Sequence, residues 1–287
     1  MKGIILVNGS EPLLFPITKA LSKHILPIYD KPFIYYELYI MMMSNIKQIQ
    51  IMLTPTDTVI HQQLLELLGD GSSLGIQLTY KIHEQLKGIA ELFLLEKNFI
   101  DNESVALLLG NTLLLGEEIE IYLNSMDDYI QGAFIFEDGA YNLAERIALS
   151  GKKPKELTPD LAIPGIYFYD NSIVEIVHNL KSSLTSGLEI MDINQVYHAQ
   201  QKLKVIRLEK GSNWFDTSTC IGLIETANFV SEAQKTNGYY IGCIEEIAYK
   251  KGYISYEQLQ LLAKPLNHTE YGKYLENIAK RQWEWES

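Results

Sequence analysis

The alternation of short apolar runs with segments of helical spacing constrains the fold of this chain more than any other feature. Residues 3–7 form an apolar run that ends in Asn8-Gly9-Ser10, which is the pattern of a buried strand entering a turn. Residues 32–43 carry apolar side chains at helical spacing, residues 48–53 form a second buried strand, and residues 57–68 form a second helix. Strands that alternate with helices form a parallel sheet covered on both faces.

The same alternation continues along the chain before it changes into a helical pattern. The further predicted elements are strands at 77–82, 105–109, 133–136 and 165–169, and helices at 89–98, 256–263 and 271–285. We therefore expect an α/β protein with a Rossmann-like three-layer α/β/α core. The core should cover residues 1–240, and a helical C-terminal subdomain should cover residues 241–287.

Composition excludes several classes of protein. The formal net charge of −12 argues against a nucleic-acid partner or an anionic membrane surface, because phosphate groups need clustered Lys and Arg. No apolar stretch approaches the roughly 20 residues that a membrane helix requires. The two cysteines, Cys220 and Cys243, are too few for a disulfide framework. Together these features predict a cytoplasmic protein.

The turn after the first strand is the first place to look for a ligand, because open α/β sheets bind ligands at the carboxyl ends of their strands. A phosphate-binding loop needs glycines, so that backbone N–H groups can converge on the anion, and a cation to offset its charge. This turn has one glycine, Gly9, followed by an acidic Glu11 and by Pro12, which has no N–H. Its residues alone argue against a working triphosphate loop.

Residues 22–32 contain a second concentration of charge. Lys23, Asp30 and Lys31 surround Pro27, and they could form an anion site. The alternative is a solvated loop that turns into a helix, which the residues alone favour because charged side chains are mostly exposed.

Several sequence blocks resemble glucose-1-phosphate thymidylyltransferases, and together they cover essentially the whole chain. The blocks are Met1 to Leu6, Pro16 to Ala20, Ser22-Lys23, Leu26 to Pro32, Ile34 to Tyr36, Gln62 to Leu65, Gly69 to Ser72, Gly165 to Asp170, Leu188 to Ile190, Asp192 to Asn194, Trp214 to Thr217, Leu223 to Glu225, Cys243 to Gly252, Pro265-Leu266 and Tyr271-Gly272. The resemblance implies a reaction in which a sugar phosphate attacks the α-phosphate of dTTP. Positioning and electrostatics carry such a displacement.

The opening loop departs from the pattern of the family, which is Leu-Ala-Gly-Gly-Ser-Gly-Thr-Arg-Leu. Here residues 6–14 keep Ser10 but place Leu13 where the phosphate-binding arginine belongs and Glu11 where a glycine belongs. A like charge about 4 Å from a phosphate costs on the order of 4 kcal/mol at an effective dielectric constant near 20, before solvent screening. The resemblance therefore implies a weakened triphosphate site.

The magnesium site that the resemblance implies is also altered. The family holds Mg²⁺ with two aspartates, and this chain has Asn111 at the first position and Asp216 at the second. An amide is a poorer Mg²⁺ ligand than a carboxylate. We expect Mg²⁺ binding to be weak or absent.

Other positions implied by the resemblance are partly kept. His83 replaces the glutamine that reads the base, Gly88 is kept, and Glu91 replaces a further glutamine. Lys153 is kept as a catalytic lysine, whereas the sugar-binding glutamate before it is lost. The segment from residue 134 to residue 154 is about ten residues shorter than the pattern of the family.

The resemblance thus assigns catalysis to Lys23 and Lys153, nucleotide binding to Ser10, His83, Gly88 and Trp214, and the metal to Asp216 with Asn111 as its partner position. Each has a plain structural alternative. Trp214 and Gly88 could persist as packing and turn residues, and Lys23, Lys153 and Asp216 could form an ion cluster.

A regulatory site near a subunit interface is implied at Glu246, Ile247 and Lys250. The cap that carries them keeps more of the family pattern than the catalytic positions do. We therefore expect a homo-oligomer, a dimer or a tetramer, or a hetero-oligomer with an active paralogue. Ordinary packing of the cap is the alternative.

These expectations lead to one main functional hypothesis and two alternatives. The first is a catalytically impaired paralogue in dTDP-sugar metabolism that binds a nucleotide or nucleotide sugar. The second is a working nucleotidyltransferase with an altered substrate, in which Asp216 and Glu91 could place a metal. The third is a structural interaction subunit.

Overall fold

The computed structural model describes residues 1–7, 11–54, 58–83, 88–126, 131–138, 165–181, 187–208 and 213–286. The strands in these ranges are β1 (Lys2–Val7), β2 (Pro27–Ile28), β3 (Lys31–Pro32), β4 (Gln48–Leu53), β5 (Gln77–Ile82), β6 (Val105–Leu108), β7 (Thr112–Leu115), β8 (Ala133–Asp138), β9 (Ile166–Tyr169), β10 (Leu203–Leu208) and β11 (Asn213–Asp216). The α-helices are α1 (Phe33–Met43), α2 (Thr58–Leu68), α3 (Leu92–Leu95), α4 (Lys97–Ile100), α5 (Glu117–Asn124), α6 (Ile173–Lys181), α7 (Ile190–Ala199), α8 (Cys220–Asn237), α9 (Ile244–Lys250), α10 (Tyr256–Ala263) and α11 (Glu270–Glu286).

Seven of the described strands form one large sheet in the order β10-β8-β9-β6-β1-β4-β5, while β7 pairs with β11 and β2 pairs with β3 in two small sheets. Strand β1 runs parallel to β4 and β6, β4 is parallel to β5, and β8 is parallel to β10. Strand β9 runs antiparallel to both of its neighbours, so the sheet is mixed and not purely parallel. The apolar pattern could not show this difference, because a continuous apolar run reports burial on both faces and not strand direction.

Two apolar cores cover the two faces of this sheet and confirm the three-layer architecture. On one face Ile5 packs in a core with Phe33 and Met41 of α1. On the other face Ile4 lies in a core with Phe93 of α3 and Ile193 of α7. Adjacent residues of a strand point to opposite faces, so the run in β1 supplies both cores.

Most predicted elements are confirmed, and one predicted helix is broken. The strands at 48–53 and 77–82 and the helix at 256–263 have the predicted bounds. The predicted helix at 89–98 is instead a 3₁₀ turn over Ile89–Glu91 followed by the short helices α3 and α4. The break falls at Glu96, whose carboxylate is buried and bonded to side chains of β4 and of the β5 segment.

A buried lysine joins the C-terminal helical region to the loop before α1. Lys31 is 3% exposed, and its ammonium nitrogen donates to Gln234 Oε1 at 3.1 Å and pairs with Asp30. The same nitrogen lies 5.2 Å from the ring centroid of Tyr240 and 5.5 Å from that of Tyr271. The division of the chain at residue 240 stays a prediction.

In the described ranges, no helix has both the length and the apolar character needed to cross a membrane.

Candidate functional site

An antiparallel pairing of β7 with β11, just after the end of β6, brings together two polar residues that are far apart in the sequence. Strand β6 ends at Leu108, and Asn111 follows just before β7. Strand β11 pairs antiparallel with β7 so that Asp216 lies opposite Thr112, and the Thr217 backbone N donates to the Asn111 carbonyl at 3.0 Å. The two positions predicted for a metal therefore lie side by side.

Lys23 is a fully buried cation next to this pair. It begins a 3₁₀ turn over Lys23–Ile25, and its ammonium nitrogen lies 5.1 Å from the centroid of the Phe33 ring. Burial lowers the pKa of Lys23, and the carboxylates of Glu11, Glu37 and Asp216 oppose that shift by electrostatic attraction. Lys23 is thus placed in the electrostatic field of Asp216, as expected for a shared site.

A buried His24–Glu37 pair underlies the turn at Gly110. His24 Nδ1 lies 2.7 Å from Glu37 Oε2, and the two side chains are 2% and 0% exposed. Gly110 has a φ of +70°, and a Cβ there would lie 2.5 Å from His24 Cε1 and 2.9 Å from Glu37 Oε1. Only glycine fits this close approach without strain. The sequence analysis did not identify this pair, and the signal that could have found it is that Glu37 is the one charged residue of α1.

Unpaired buried polar atoms are concentrated around the Asn111–Asp216 pair. Among the described residues, seven buried side-chain N or O atoms lack a hydrogen-bond partner. Five of the seven are Lys23 Nζ, Glu37 Oε1, Asn111 Oδ1, Trp214 Nε1 and Thr217 Oγ1. Buried polar groups normally have partners, so such a concentration marks a site where a ligand or water completes the bonding.

Asn111 and Asp216 form only part of a possible magnesium site. Asn111 Oδ1 is buried and unpaired, and Asp216 Oδ1 accepts from Ser218 N at 2.9 Å and Ser218 Oγ at 2.6 Å. The described residues hold no group of three or more His, Cys, Asp or Glu suited to a metal. Mg²⁺ commonly keeps waters and takes oxygens from one or two carboxylates and from phosphates. This donor set therefore fits Mg²⁺ only when a phosphate shares it.

His83 directly follows β5, and Gly88 precedes the 3₁₀ turn over Ile89–Glu91. The backbone N of His83 donates to the Leu53 carbonyl at 2.9 Å, which continues the pairing with β4, and its imidazole Nε2 is bonded to Glu96. A Cβ at Gly88 would lie 2.4 Å from the Leu188 carbonyl oxygen. Packing against Leu188 is thus sufficient to require this glycine, whether or not it also contacts a ligand.

Two of the predicted site residues belong to segments that the structure does not describe. Ser10 and Lys153 lie outside the described residues. Most of the shortened segment from 134 to 154 lies outside them as well. Their predicted roles in nucleotide binding and catalysis stay predictions.

A cavity of about 220 Å³, separate from the Asn111–Asp216 pair, is lined by the three residues predicted for regulation. Its lining includes Glu246, Ile247 and Lys250, together with Tyr39 and Glu120. Lys250 Nζ lies 2.7 Å from Glu246 Oε1, Tyr274 donates to Glu246 Oε2 at 2.8 Å, and Tyr39 donates to Glu120 Oε1 at 2.6 Å. The structure thus brings the three positions together, and both Glu246 and Glu120 accept a hydrogen bond from a phenol.

Comparison with known proteins agrees with this architecture. Residues 2–233 match the family model described as nucleotidyl transferase. The chain is 37% identical over 291 residues to a glucose-1-phosphate thymidylyltransferase of Neisseria meningitidis, covering 98% of this chain and 100% of the relative. It is 39% identical over 290 residues to one of Mycobacterium tuberculosis, with the same coverage.

Two solved structures are similar to it. A candidate glucose-1-phosphate thymidylyltransferase from Bacillus anthracis, in complex with a sucrose, is 29% identical with a TM-score of 0.66, covering 80% of this chain and 94% of that chain. A UDP-glucose pyrophosphorylase complexed with UDP-glucose is 18% identical with a TM-score of 0.58, covering 80% and 98%. The second likeness concerns the fold alone.

Proposed function

The chain belongs to the glucose-1-phosphate thymidylyltransferase family of nucleotidyl transferases, and from this premise we propose that it binds a nucleotide or nucleotide sugar but transfers nucleotidyl groups poorly or not at all. The site lies around Lys23, Asn111 and Asp216. The observation that carries the proposal is the set of five unpaired buried polar atoms at that place, combined with the loss of charged groups there.

Nucleotidyl transfer requires positive charge around the phosphates. An oxygen of the sugar phosphate attacks the α-phosphorus, and pyrophosphate leaves with additional negative charge. Lys23 supplies one cation, whereas Leu13, where the family pattern has arginine, is neutral and 68% exposed. When bound, Mg²⁺ would neutralise phosphate charge, and Asp216 and Asn111 would hold it with one carboxylate fewer than the family pattern. Lower stabilisation of the transition state should lower turnover more than it lowers binding.

Binding has its own support in the buried groups that lack partners. A buried polar atom without a hydrogen bond costs about 1–3 kcal/mol, so a ligand that supplies the missing bond gains affinity. Lys23 Nζ suits a phosphate oxygen, and Trp214 Nε1 can donate to a sugar hydroxyl or phosphate. Lys153 and Ser10 are proposed to contribute as the resemblance implies.

Pyrophosphate release from dTTP and glucose-1-phosphate, measured with Mg²⁺, tests the catalytic part. We expect turnover far below the ordinary enzyme range of about 1–1000 per second. The binding part is tested by the melting temperature with dTDP-glucose, which should rise with ligand concentration. Turnover within that range would refute the proposed catalytic impairment. A melting temperature that no tested nucleotide changes would favour a structural interaction subunit.

A working enzyme with an altered substrate is the second candidate. It is favoured by the buried His24–Glu37 pair, which places a carboxylate beside Lys23 in a cleft that has lost another at position 111. A screen of nucleoside triphosphates and sugar phosphates for pyrophosphate release distinguishes it. The version in which Glu91 joins Asp216 at a metal has less support, because Glu91 pairs with Lys181 at 3.3 Å.

Assembly and regulation complete the proposal. We assign the cavity at Glu246, Ile247 and Lys250 to a regulatory ligand and expect a homo-oligomer or a hetero-oligomer with an active paralogue. Light scattering of the purified chain, alone and mixed with an active family member, measures this directly. A monomer in both samples would contradict it.

A further inference from the structure

A buried carboxylate at the end of α3 is bonded to three side chains from β4 and the β5 segment. Glu96 is 1% exposed. Its Oε2 accepts from Gln50 Nε2, its Oε1 lies 2.9 Å from Lys81 Nζ, and the same Oε1 is bonded to His83 Nε2. A buried charge with this many partners holds those partners in fixed geometry, because leaving any of them unpaired is costly.

The local fold explains why these residues meet. In the register of β4 and β5, Gln50 lies opposite Thr79 and Met52 lies opposite Lys81. Alternate residues of a strand share a face, so Lys81 and the following His83 lie on the same side. Glu96 reaches this side from the break between α3 and α4.

The bond to Glu96 determines which ring nitrogen of His83 carries the proton. An ionised carboxylate only accepts hydrogen bonds, so Nε2 must donate. In a neutral imidazole the other nitrogen, Nδ1, is then an acceptor. No described residue is hydrogen-bonded to Nδ1, and the His83 side chain keeps 14% of its surface exposed. Nδ1 is therefore the nitrogen available to a ligand.

We infer that Glu96 is a positioning residue that holds His83 in the Nε2–H tautomer, so that Nδ1 accepts a hydrogen bond from the ring N–H of a thymine or uracil base. This inference rests on the proposed function, in which His83 faces the base. Thymine and uracil carry a hydrogen on N3, whereas N3 of cytosine is an acceptor and would meet the lone pair of Nδ1. A glutamine side chain offers a donor and an acceptor together, so it needs no such partner.

Calorimetric binding of dTTP and dCTP with Mg²⁺ tests the inference in a double-mutant cycle. The variants are Glu96→Gln, His83→Gln, the double variant, and Lys81→Met, which removes the other charged partner of Glu96. We expect the wild-type protein and Lys81→Met to prefer dTTP by roughly ten-fold or more, as one hydrogen bond against one unpaired acceptor would produce. Glu96→Gln should reduce that preference, because the ring is no longer held in one tautomer. In the His83→Gln background the same substitution should leave the preference unchanged.

A purely structural role for Glu96 would give a different pattern. In that case Glu96→Gln would weaken dTTP and dCTP binding equally, both in the wild-type protein and in the His83→Gln background, and that result overturns the inference. Equal affinity of the wild-type protein for dTTP and dCTP also overturns it but leaves the proposed function intact. If the wild-type protein binds no nucleotide, both the proposed function and the role of His83 in recognising the base are refuted.

Nitrogen NMR of the imidazole provides a readout that needs no ligand. In protein labelled at histidine, the signals lost in His83→Gln identify His83. We expect a protonated Nε2 and an unprotonated Nδ1 in the wild-type protein, and a mixture of tautomers in Glu96→Gln. A protonated Nδ1 with an unprotonated Nε2 in the wild-type protein would contradict the assignment.

Discussion

Single buried charges determine the electrostatics of the candidate site, and Glu37, like Lys23, has no exposed surface. One of its oxygens pairs with His24, while the other has no hydrogen-bond partner. Its charge also attracts Lys23, whose ammonium lacks a hydrogen bond as well. Glu37 therefore supplies negative charge beside Lys23 and a hydrogen-bond partner for His24 next to the turn at Gly110.

Replacing Glu37 by Gln should lower the free energy of unfolding while leaving the fold intact. The variant removes the carboxylate that is bonded to His24 and one of the three carboxylates that attract the buried Lys23, and losing one member of a buried pair costs about 3–5 kcal/mol. Urea unfolding measures the loss, and Glu66→Gln on the exposed side of α2 is the control, which should change stability by less than about 0.5 kcal/mol. Equal stability of the two variants would show that the Glu37 carboxylate does not contribute to the free energy of unfolding.

Restoring the missing carboxylate at position 111 should strengthen cation-dependent binding. In Asn111→Asp the new charge adjoins Asp216, and Mg²⁺ affinity increases with the number of charged ligands. We expect dTTP affinity in the presence of Mg²⁺ to rise by roughly ten-fold, since one unit charge near 4 Å is worth a few kcal/mol before screening. Without Mg²⁺ the affinity should fall, because the added carboxylate then repels the phosphates. Calorimetry with and without the metal checks this. The control is Asn213→Asp at the other end of β11, which should leave the Mg²⁺ dependence unchanged.

Among the elements, the pairing of β7 with β11 contributes most to the site and was the hardest to predict. Each strand has four residues, and their partners are about a hundred positions apart in the chain, so neither gives a strong periodic signal. The long apolar strands were predictable because burial on both faces leaves a continuous apolar run. The break at Glu96 was not, since its cause is a cluster of side chains from β4 and the β5 segment.

The loop before α1 and the C-terminal helices are held together by Lys31. Burial lowers the pKa of Lys31, and Asp30 opposes that shift. The charged form of Lys31 is therefore stabilised by Asp30 and by the surrounding aromatic rings. Lys31→Met should lower the free energy of unfolding by about 3 kcal/mol, because Asp30 and the buried Glu245 lose their cation. Lys19→Met is the matched control: Lys19 lies on an exposed surface 5.5 Å from the Phe15 ring, and its loss should have a small effect. Chemical denaturation of both variants gives the comparison.

At the scale of the whole molecule, the sequence allowed the fold and the family to be predicted better than the site. The resemblance covers the chain almost from end to end, and the three-layer core followed from apolar periodicity. The site depends on which buried atoms lack partners, and no sequence pattern reveals that. Gly88 illustrates the limit: family resemblance assigned it to nucleotide binding, and its contact with Leu188 explains the same glycine by packing.

The stability of the whole chain should fall at alkaline pH because so many tyrosines are buried. Burial is the main cause that raises the pKa of ten of them, namely Tyr35, Tyr36, Tyr39, Tyr80, Tyr167, Tyr169, Tyr197, Tyr240, Tyr271 and Tyr274. An acid whose pKa is raised on folding keeps its proton longer in the native state. Its stabilising contribution is therefore complete below the unfolded pKa, about 10 for tyrosine, and is lost as pH rises towards the folded value.

Buried lysines act in the opposite direction, and their number decides the net result. Burial lowers the pKa of Lys23, of Lys31 and of the partly buried Lys251, so their contribution to stability increases as pH rises towards about 10.5, the unfolded value. Ten tyrosines outweigh them, and we expect the urea midpoint to fall steeply between about pH 10 and pH 12. Tyr167→Phe removes a buried phenol and should reduce the fall, whereas Tyr239→Phe, at an exposed position, should not. A midpoint that stays constant over this range would mean that the phenols ionise in the native state without unfolding it.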